Sequence, residues 1–441
     1  MECLRCALHD RPPPDNIDNV NWGTLLRQAR GHSVECFLFP WFCKYFPGQF
    51  SARTTVTSNS PQAAWRAIAI EHLDATLIRQ KQTSAILAAA AKAGIEVLPL
   101  KGTWLSETIY QEASQRQMVD IDLLVKKADR DRSNQTLIRL GYAPRRALSD
   151  SEYMCDLSYY HSAYSIFVEL HWNVECQMGG ATEIPDIEKI LMRTDSSTLF
   201  QHPVKTFKME DQLCHLVQHI LHHQFALSLK SYRGMHFTGL TTTSCMLMIV
   251  NCPPKAQYME TSPLKGIPLK SYIDIALLIN AKKQNITREQ LDNSAIDWKT
   301  GEAVPFILQM VTCLLDLKDI PKELIENTAD QSTLQDAVAA IFELPLASTR
   351  NHEINLLKYR ESSMAGKLRI IFNRIFMPKS FMQLHYPFAK NILLLPITWL
   401  IRTISLIRSS GKEIVSTKSS GTNLINAANR AEIIKKLTEK W

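Results

Sequence analysis

The residues best suited to chemistry are two aspartates, Asp120 and Asp122, which stand one residue apart in the segment 118–125. On a β-strand, successive side chains alternate between the two faces, so both carboxylates would share a face while Ile121 and Leu123 share the other. Two carboxylates held in this way can bind a divalent cation together. The pair therefore predicts a metal site on a strand.

The segments on either side of this pair predict the elements that must position it. An apolar stretch at 95–100 predicts a strand, and Gly102 closes it where a helix begins. The N-terminus of a helix after a glycine turn is a place where a phosphate binds. Downstream, the segment 166–172 alternates again and offers a third carboxylate, Glu169, on a strand that would lie beside the first two acids. Three acids, a phosphate-binding turn and magnesium would form a site for phosphoryl transfer.

The same residues carry a resemblance to a known family. Their order and spacing are similar to those of an uncharacterised family of nucleotidyltransferase-like proteins, within the superfamily that includes the minimal and the aminoglycoside nucleotidyltransferases. The motifs are Leu100-Lys101-Gly102, Arg116, Asp120-Ile121-Asp122-Leu123-Leu124-Val125, Leu140-Gly141-Tyr142 and Glu169-Leu170-His171-Trp172. The resemblance runs from about residue 20 to 410 and is strongest over 95–175. It implies an α/β protein with a nucleotidyltransferase-type mixed sheet core and helical N-terminal and C-terminal regions.

The resemblance also implies roles for individual residues. Asp120 and Asp122 would hold two magnesium ions on a triphosphate, and Glu169 would complete one metal site and help to activate the acceptor hydroxyl. Four further residues would bind the phosphates of the nucleotide. Gly102 and Thr103 would form the phosphate-binding turn, and Lys101 and Arg116 would add positive charge. These assignments agree with the general chemistry of metal-assisted in-line displacement.

The function expected on this basis is nucleotidyl transfer from a nucleoside triphosphate to an unidentified acceptor, which is a small molecule or a protein. A single Asp-x-Asp is more often a solvated strand edge than a metal site, but the surrounding order of elements favours the metal site. Two alternatives stay open. One is a non-catalytic nucleotide-binding or scaffold protein that keeps the fold. The other is a membrane-associated partner in a polysaccharide or peptide biosynthetic system.

Composition and charge set broader bounds. The 441 residues are 45% hydrophobic and 21% charged, which is typical of a folded chain and excludes a disordered one. The net charge of +7 suits an anionic ligand such as a nucleotide, and no dense basic block points to nucleic acid. We expect a helical region at 1–93, the nucleotidyltransferase core at 94–200, a second helical region at 201–410 and a tail at 411–441.

The ten cysteines favour a reduced, cytoplasmic setting, because the first 20 residues contain no apolar stretch of signal-peptide length. Cys3 and Cys6, followed by His9, have the spacing of half a zinc site, but no second Cys-x-x-Cys follows. Cys36 and Cys43 lie in an aromatic stretch that is typical of a core. Free structural thiols are the interpretation that fits these positions best.

Helical patterning dominates the remainder of the chain. It predicts helices over 22–46 with a break at Pro40, over 61–93 with Gly94 as the C-cap, over 183–199 and over 211–229. It resumes at 272–280, and a capping box from Thr287 to Gln290 predicts another helix start.

Three histidines, His215, His219 and His222, share one face of the helix predicted at 211–229. Such a row without a partner acid is more often packing than a ligand set, and zinc is the minor option. If the row is functional, we expect His219 and His222 near the nucleotide or the acceptor.

Two further segments stand outside the motif block. Residues 231–268 depart from the family pattern and predict an insertion without assigned chemistry. Residues 392–407 are apolar but interrupted by Pro396 and Arg402, so they are too broken to span a membrane. They predict either a helix docked on the core or a peripheral contact with a membrane surface.

Overall fold

The architecture was obtained from a computed structural model. It describes the following residues, to which all structural statements below refer: 1–15, 17–50, 60–145, 155–174, 185–220, 269–281, 286–301, 303–318, 320–325, 334–335, 338, 396–400 and 403. Several sequence predictions fall elsewhere and lie outside the described residues, among them His222, the segment 231–268 and most of 392–407.

Helices account for most of the described chain. They are α1 (Glu2–Leu8), α2 (Trp22–Gly31), α3 (Glu35–Tyr45), α4 (Pro47–Phe50), α5 (Pro61–Lys92), α6 (Lys101–Thr108), α7 (Arg130–Arg139), α8 (Ile187–Met192), α9 (Met209–Ile220), α10 (Leu269–Ala281), α11 (Arg288–Trp298) and α12 (Ala303–Leu315). The α/β class predicted from the sequence is confirmed, because strands of a mixed sheet lie between these helices.

The strands form one five-stranded sheet and one hairpin. They are β1 (Leu98–Pro99), β2 (Asp120–Leu124), β3 (Ala143–Pro144), β4 (Asp156–His161), β5 (Ile166–His171), β6 (Asp195–Leu199) and β7 (His202–Thr206). The sheet order is β1-β2-β5-β4-β3, with β2 and β5 parallel and the other pairs antiparallel. The hairpin pairs β6 with β7.

Alternation along β2 places its two faces in different surroundings. Ile121 and Leu123 pack in a cluster with Ile86 and Leu137 of α5 and α7. On the other face, Leu124 joins a second cluster that includes residues of α9, α10 and α12. Because Asp120 and Asp122 share the face of Leu124, the sheet presents its carboxylates toward the helical C-terminal part of the chain.

The segment 22–46 is helical as predicted, but it consists of two helices, α2 and α3, which are separated at residues 32–34 and not at Pro40. The side chain of Ser60 caps α5, and Gly94 follows its end with φ +64°, a left-handed conformation that glycine adopts readily. The break predicted at Pro40 is wrong, because α3 continues through it. Proline removes one backbone hydrogen bond there, while packing of the same helix through Phe42, which is fully buried with its ring 4.8 Å from that of Trp65, favours the helical conformation.

The prediction of a helix over 183–199 is wrong for the second half of this range. Of the described residues in this range, only Ile187–Met192 form a helix, and the chain then enters the hairpin of β6 and β7. The turn consists of Phe200 and Gln201, both with positive φ. Two-residue hairpin turns of this kind usually carry Asn-Gly or Asp-Gly, so this sequence gives no ordinary turn signal.

The helix starts predicted in the C-terminal part are found. Thr287 and Gln290 form the reciprocal capping box at the start of α11. The helix expected over 272–280 is present as α10 and begins slightly earlier, at Leu269. Among the described helices, none is both long enough and apolar enough to cross a bilayer. Within 396–400, Ile397 and Leu400 are exposed.

The cysteines predicted to be free structural thiols are confirmed as free. These are Cys3, Cys6, Cys36 and Cys43. Burial raises the pKa of Cys36 to about 12, so this thiol is inert at neutral pH. Cys155 instead forms a disulfide, which the sequence analysis did not predict.

Candidate active site

The parallel pairing of β2 with β5 brings the acids together. Asp122 stands directly opposite Glu169 in the register, and Asp120 stands opposite Phe167. Asp120 and Asp122 lie on one face of β2 because they are two residues apart. The placement of Glu169 beside the aspartates, expected from the sequence, is therefore found in the sheet.

His171 joins these acids from the end of β5. Its Nε2 lies 3.2 Å from Asp122 Oδ1 and 3.5 Å from Glu169 Oε2. One ligand atom from each of Asp122, Glu169 and His171 lies within 4.8 Å of the others, which suits a metal ion. The sequence analysis gave His171 no role, although it shares a strand face with Glu169 at a spacing of two.

Lys101 reaches the same carboxylate from the start of α6. Its Nζ lies 3.2 Å from Asp122 Oδ1. Burial lowers the pKa of this amine, but the nearby Asp122, Glu169 and Asp120 reverse the effect and raise it, so Lys101 is charged. The backbone of Lys101 has φ +45°. A residue other than glycine adopts this left-handed conformation at a cost of about 1–3 kcal/mol. This strained turn supplies a cation to the acid centre.

Gly102 and Thr103 connect that turn to β2. The Asp122 N–H donates to Thr103 Oγ1 at 3.0 Å, and the Thr103 N–H donates to Leu100 O at 3.0 Å. Thr103 thus ties α6 to the strand that carries the aspartates. Its expected contact with a phosphate stays a prediction, as does that of Gly102.

Arg116 lies against Gly102 and is fixed by the C-terminal helices. Its Nε and Nη2 donate to the two carboxylate oxygens of Asp274 at 2.8 and 2.7 Å, and Tyr110 Oη donates to Asp274 Oδ1 at 2.7 Å. All three side chains are buried. A Cβ on Gly102 would lie only 1.9 Å from Arg116 Nη1. Arg116 therefore packs against the turn and is held in place by Asp274. Its contact with a phosphate stays a prediction.

The electrostatics of the three acids differ. Burial, reinforced by the charges of Asp122 and Glu169, raises the pKa of Asp120 to about 7. Burial also acts to raise the pKa of Asp122, but Lys101 and His171 overcome it and hold that pKa below its usual range. For His171, burial is outweighed by the hydrogen bonds with Asp122 and Glu169, and its pKa rises to about 9. Local cations therefore compensate Asp122, whereas for Asp120 the opposing charges of Lys101 and Lys270 do not overcome burial and the charges of the neighbouring acids.

Of the three histidines in the predicted row, His215 and His219 lie on α9, and His222 lies outside the described residues. His215 is buried, with its ring stacked on Trp298 at 5.4 Å and edge-on to Phe207 at 5.6 Å. Burial, followed by the charge of Lys101, lowers the pKa of His215 to about 3. His219 lies partly buried one turn further along α9. The contacts of His219 and His222 with a nucleotide or an acceptor stay predictions.

Comparison with known proteins decides the family. A family described as uncharacterised nucleotidyltransferases matches residues 18–316. The chain belongs to this family. The matched segment contains the acids of β2 and β5, the turn at Lys101 and the Arg116–Asp274 pair, so the resemblance seen in the motifs is confirmed.

Two other comparisons add little to the family assignment. The solution structure of the antibiotic-resistance factor ANT(2'')-Ia is similar at 12% sequence identity and a TM-score of 0.27, over 51% of this chain and 93% of that one. A TM-score this low is too small to indicate a shared fold. No curated protein matches the chain significantly in sequence.

The packing around Gly102 yields a first prediction for this family member. We expect Gly102→Ala to lower the free energy of unfolding by about 1–3 kcal/mol, because its Cβ would overlap Arg116 and Met118, and Arg116 is held by Asp274. Urea unfolding measures the change. Gly23→Ala in α2 is the control, since its Cβ would meet no atom closer than 3.5 Å. Equal stability of the two variants would contradict this account of the turn.

Proposed function

We propose that this protein is a metal-dependent nucleotidyltransferase that moves a nucleoside monophosphate from a nucleoside triphosphate to an acceptor hydroxyl. The observation that carries the proposal is the placement of Asp122 beside Glu169, with Asp120 on the same strand face. In the described part of the chain, the Asp120 carboxylate has no hydrogen-bond donor or ion-pair partner, although burial and like charge act on it. A half-buried carboxylate in this state fits a divalent cation.

The proposed roles follow from position. Asp120, Asp122 and Glu169 would hold magnesium, with two ions expected, and magnesium when bound would neutralise charge on the phosphate oxygens. Glu169 is more accessible than Asp122, with 27% of its side chain exposed against 8%, and would accept the proton of the acceptor hydroxyl. Lys101 would offer a positive charge to the triphosphate once a metal competes for Asp122.

Binding of nucleotides tests this function directly. Thermal unfolding would be followed with ATP, GTP, CTP and UTP, each with and without magnesium, for the wild type and for the double variant Asp120→Ala, Asp122→Ala. We expect a rise in Tm that requires both nucleotide and magnesium and disappears in the variant, since a ligand at 100 times its Kd stabilises a protein by about 2.7 kcal/mol. A response to no nucleotide would support the scaffold alternative instead.

The pH dependence of metal binding distinguishes two possible ligand sets. If Asp120 is a ligand and His171 is not, the affinity for Mn²⁺ should rise about tenfold between pH 5 and 6 and level off above pH 7, because the proton on Asp120 leaves near pH 7. If His171 is a ligand, the rise should continue toward pH 9, where its imidazolium loses a proton. Calorimetry with Mn²⁺ at several pH values measures this, and Asp120→Asn should remove the step near pH 7. An affinity that does not change with pH would contradict both sets.

A further inference from the structure

Arg79 is a buried guanidinium on α5 that forms no ion pair with a carboxylate of the described residues. It is 6% exposed, and its Nη2 donates to Thr76 Oγ1 at 2.9 Å. Its Nε has no hydrogen-bond acceptor, and among the described residues no acid forms an ion pair with it. A buried cation without an anion is costly, so this arrangement calls for an anionic ligand.

Lys270, at the start of α10, brings a second cation to the same region. Its Nζ donates to Gln117 O at 3.1 Å, and no carboxylate within the described ranges forms an ion pair with it. Burial, followed by the charge of Arg116, lowers its pKa to about 8. The charge of nearby Glu35 opposes this decrease without reversing it; Glu35 Oε1 accepts from Gln117 Nε2 at 2.7 Å, and its Oε2 has no hydrogen-bond donor among the described residues.

Both cations lie within electrostatic range of Asp120, and the elements that carry them contact the segment that leads into it. His72, Thr76 and Arg79 lie on one side of α5, and His72 Nε2 lies 3.3 Å from Arg116 O. Lys270 contacts the next carbonyl, that of Gln117. Burial lowers the pKa of Arg79 to about 10, and the charge of Asp120 acts in the opposite direction, so the guanidinium lies within electrostatic range of the acid centre.

We propose that Arg79 and Lys270 form a binding subsite for a phosphoanion on the Asp120 side of the acid centre. A guanidinium with a free Nε presents the forked donor geometry that phosphate oxygens accept, and a lysine adds a point charge. The phosphoanion is either the β,γ-phosphates of the donor, a source that rests on the proposed function, or a phosphate on the acceptor.

Binding of inorganic tripolyphosphate without divalent metal tests the subsite. Isothermal calorimetry would compare the wild type with Arg79→Gln, Lys270→Gln and Lys81→Gln, the last being the control because Lys81 is an exposed cation of α5. We expect each of the first two variants to bind at least about tenfold more weakly and the control to bind as the wild type does. Wild-type affinity in both Arg79→Gln and Lys270→Gln would overturn the proposal.

Folding of the variants is checked by their Tm without ligand. Replacing a buried unpaired cation should leave the Tm of Arg79→Gln equal to or above that of the wild type. Lys270→Gln, on a different helix, provides the same binding test if the first variant does not fold. A wild type that fails to bind tripolyphosphate would also overturn the subsite.

A second titration identifies the source of the phosphoanion. It measures the binding of ATP and of AMP to the wild type and to Arg79→Gln in the presence of magnesium. Weaker binding of ATP but not of AMP by Arg79→Gln would assign the subsite to the donor. Unchanged binding of both, together with weaker tripolyphosphate binding, would assign it to an acceptor phosphate. The double variant Asp120→Ala, Asp122→Ala separates the subsite from the proposed function. If this variant still binds tripolyphosphate, the subsite exists even if the protein does not catalyse nucleotidyl transfer.

Discussion

Asp122→Asn is expected to reduce nucleotidyl transfer at least about 1000-fold, which corresponds to about 4 kcal/mol of transition-state stabilisation. The substitution keeps the size of the side chain but removes the charge that Lys101 and His171 contact at 3.2 Å. Asparagine is a weaker ligand for magnesium than a carboxylate, so both metal binding and alignment of the triphosphate would be lost. The rate of pyrophosphate release from a nucleoside triphosphate, with magnesium, is the measurement.

The matched control for this prediction is Asp195→Asn, which changes an exposed aspartate on β6. It should leave the rate unchanged. Circular dichroism should show that Asp122→Asn keeps the helical content of the wild type, since the replacement is isosteric. A rate within tenfold of the wild type in Asp122→Asn would remove Asp122 from the proposed metal ligands.

Asp274→Ala is expected to produce the largest loss of stability, about 3–5 kcal/mol in the free energy of unfolding. Asp274 is 2% exposed and is the carboxylate to which both Arg116 and Tyr110 donate. Its removal would leave the Arg116 guanidinium buried and uncompensated. Urea unfolding at neutral pH measures the loss.

An exposed ion pair supplies the control for Asp274. Arg288 and Asp292 form an i, i+4 pair on α11, with side chains 33% and 50% exposed, and Asp292→Ala should cost less than about 0.5 kcal/mol. The double variant Arg116→Met, Asp274→Leu should recover much of the lost stability, because an apolar pair can replace a buried ion pair. Similar losses in Asp274→Ala and Asp292→Ala would contradict the assigned role of the buried pair.

The same pair explains how the C-terminal helices affect the acid centre. Asp274 on α10 fixes Arg116, and Arg116 fills the space beneath Gly102 at the start of α6. We therefore expect the double variant to regain stability while binding nucleotide more weakly than the wild type. The turn that carries Lys101 depends on a helix that lies far away in the sequence.

The sequence by itself determined the local features of this protein. Alternation along the strands placed Asp120 and Asp122 on one face and identified the strand of Glu169, and the capping box of Thr287 and Gln290 marked a helix start. These signals are short-range, because side-chain direction and capping depend on residues only a few positions apart. The family resemblance was also contained in such motifs.

Only the tertiary structure decided which charged side chains form ion pairs with one another. Arg116 pairs with Asp274, whereas Arg79 and Lys270 form no ion pair with any acid of the described residues, and no local pattern in the sequence separates these cases. His171 was visible as a neighbour of Glu169, but its distance of 3.2 Å from Asp122 follows from the pairing of β2 with β5. The partner of a buried charge is set by packing between elements that are distant along the chain, and periodicity within one element carries no information about that packing.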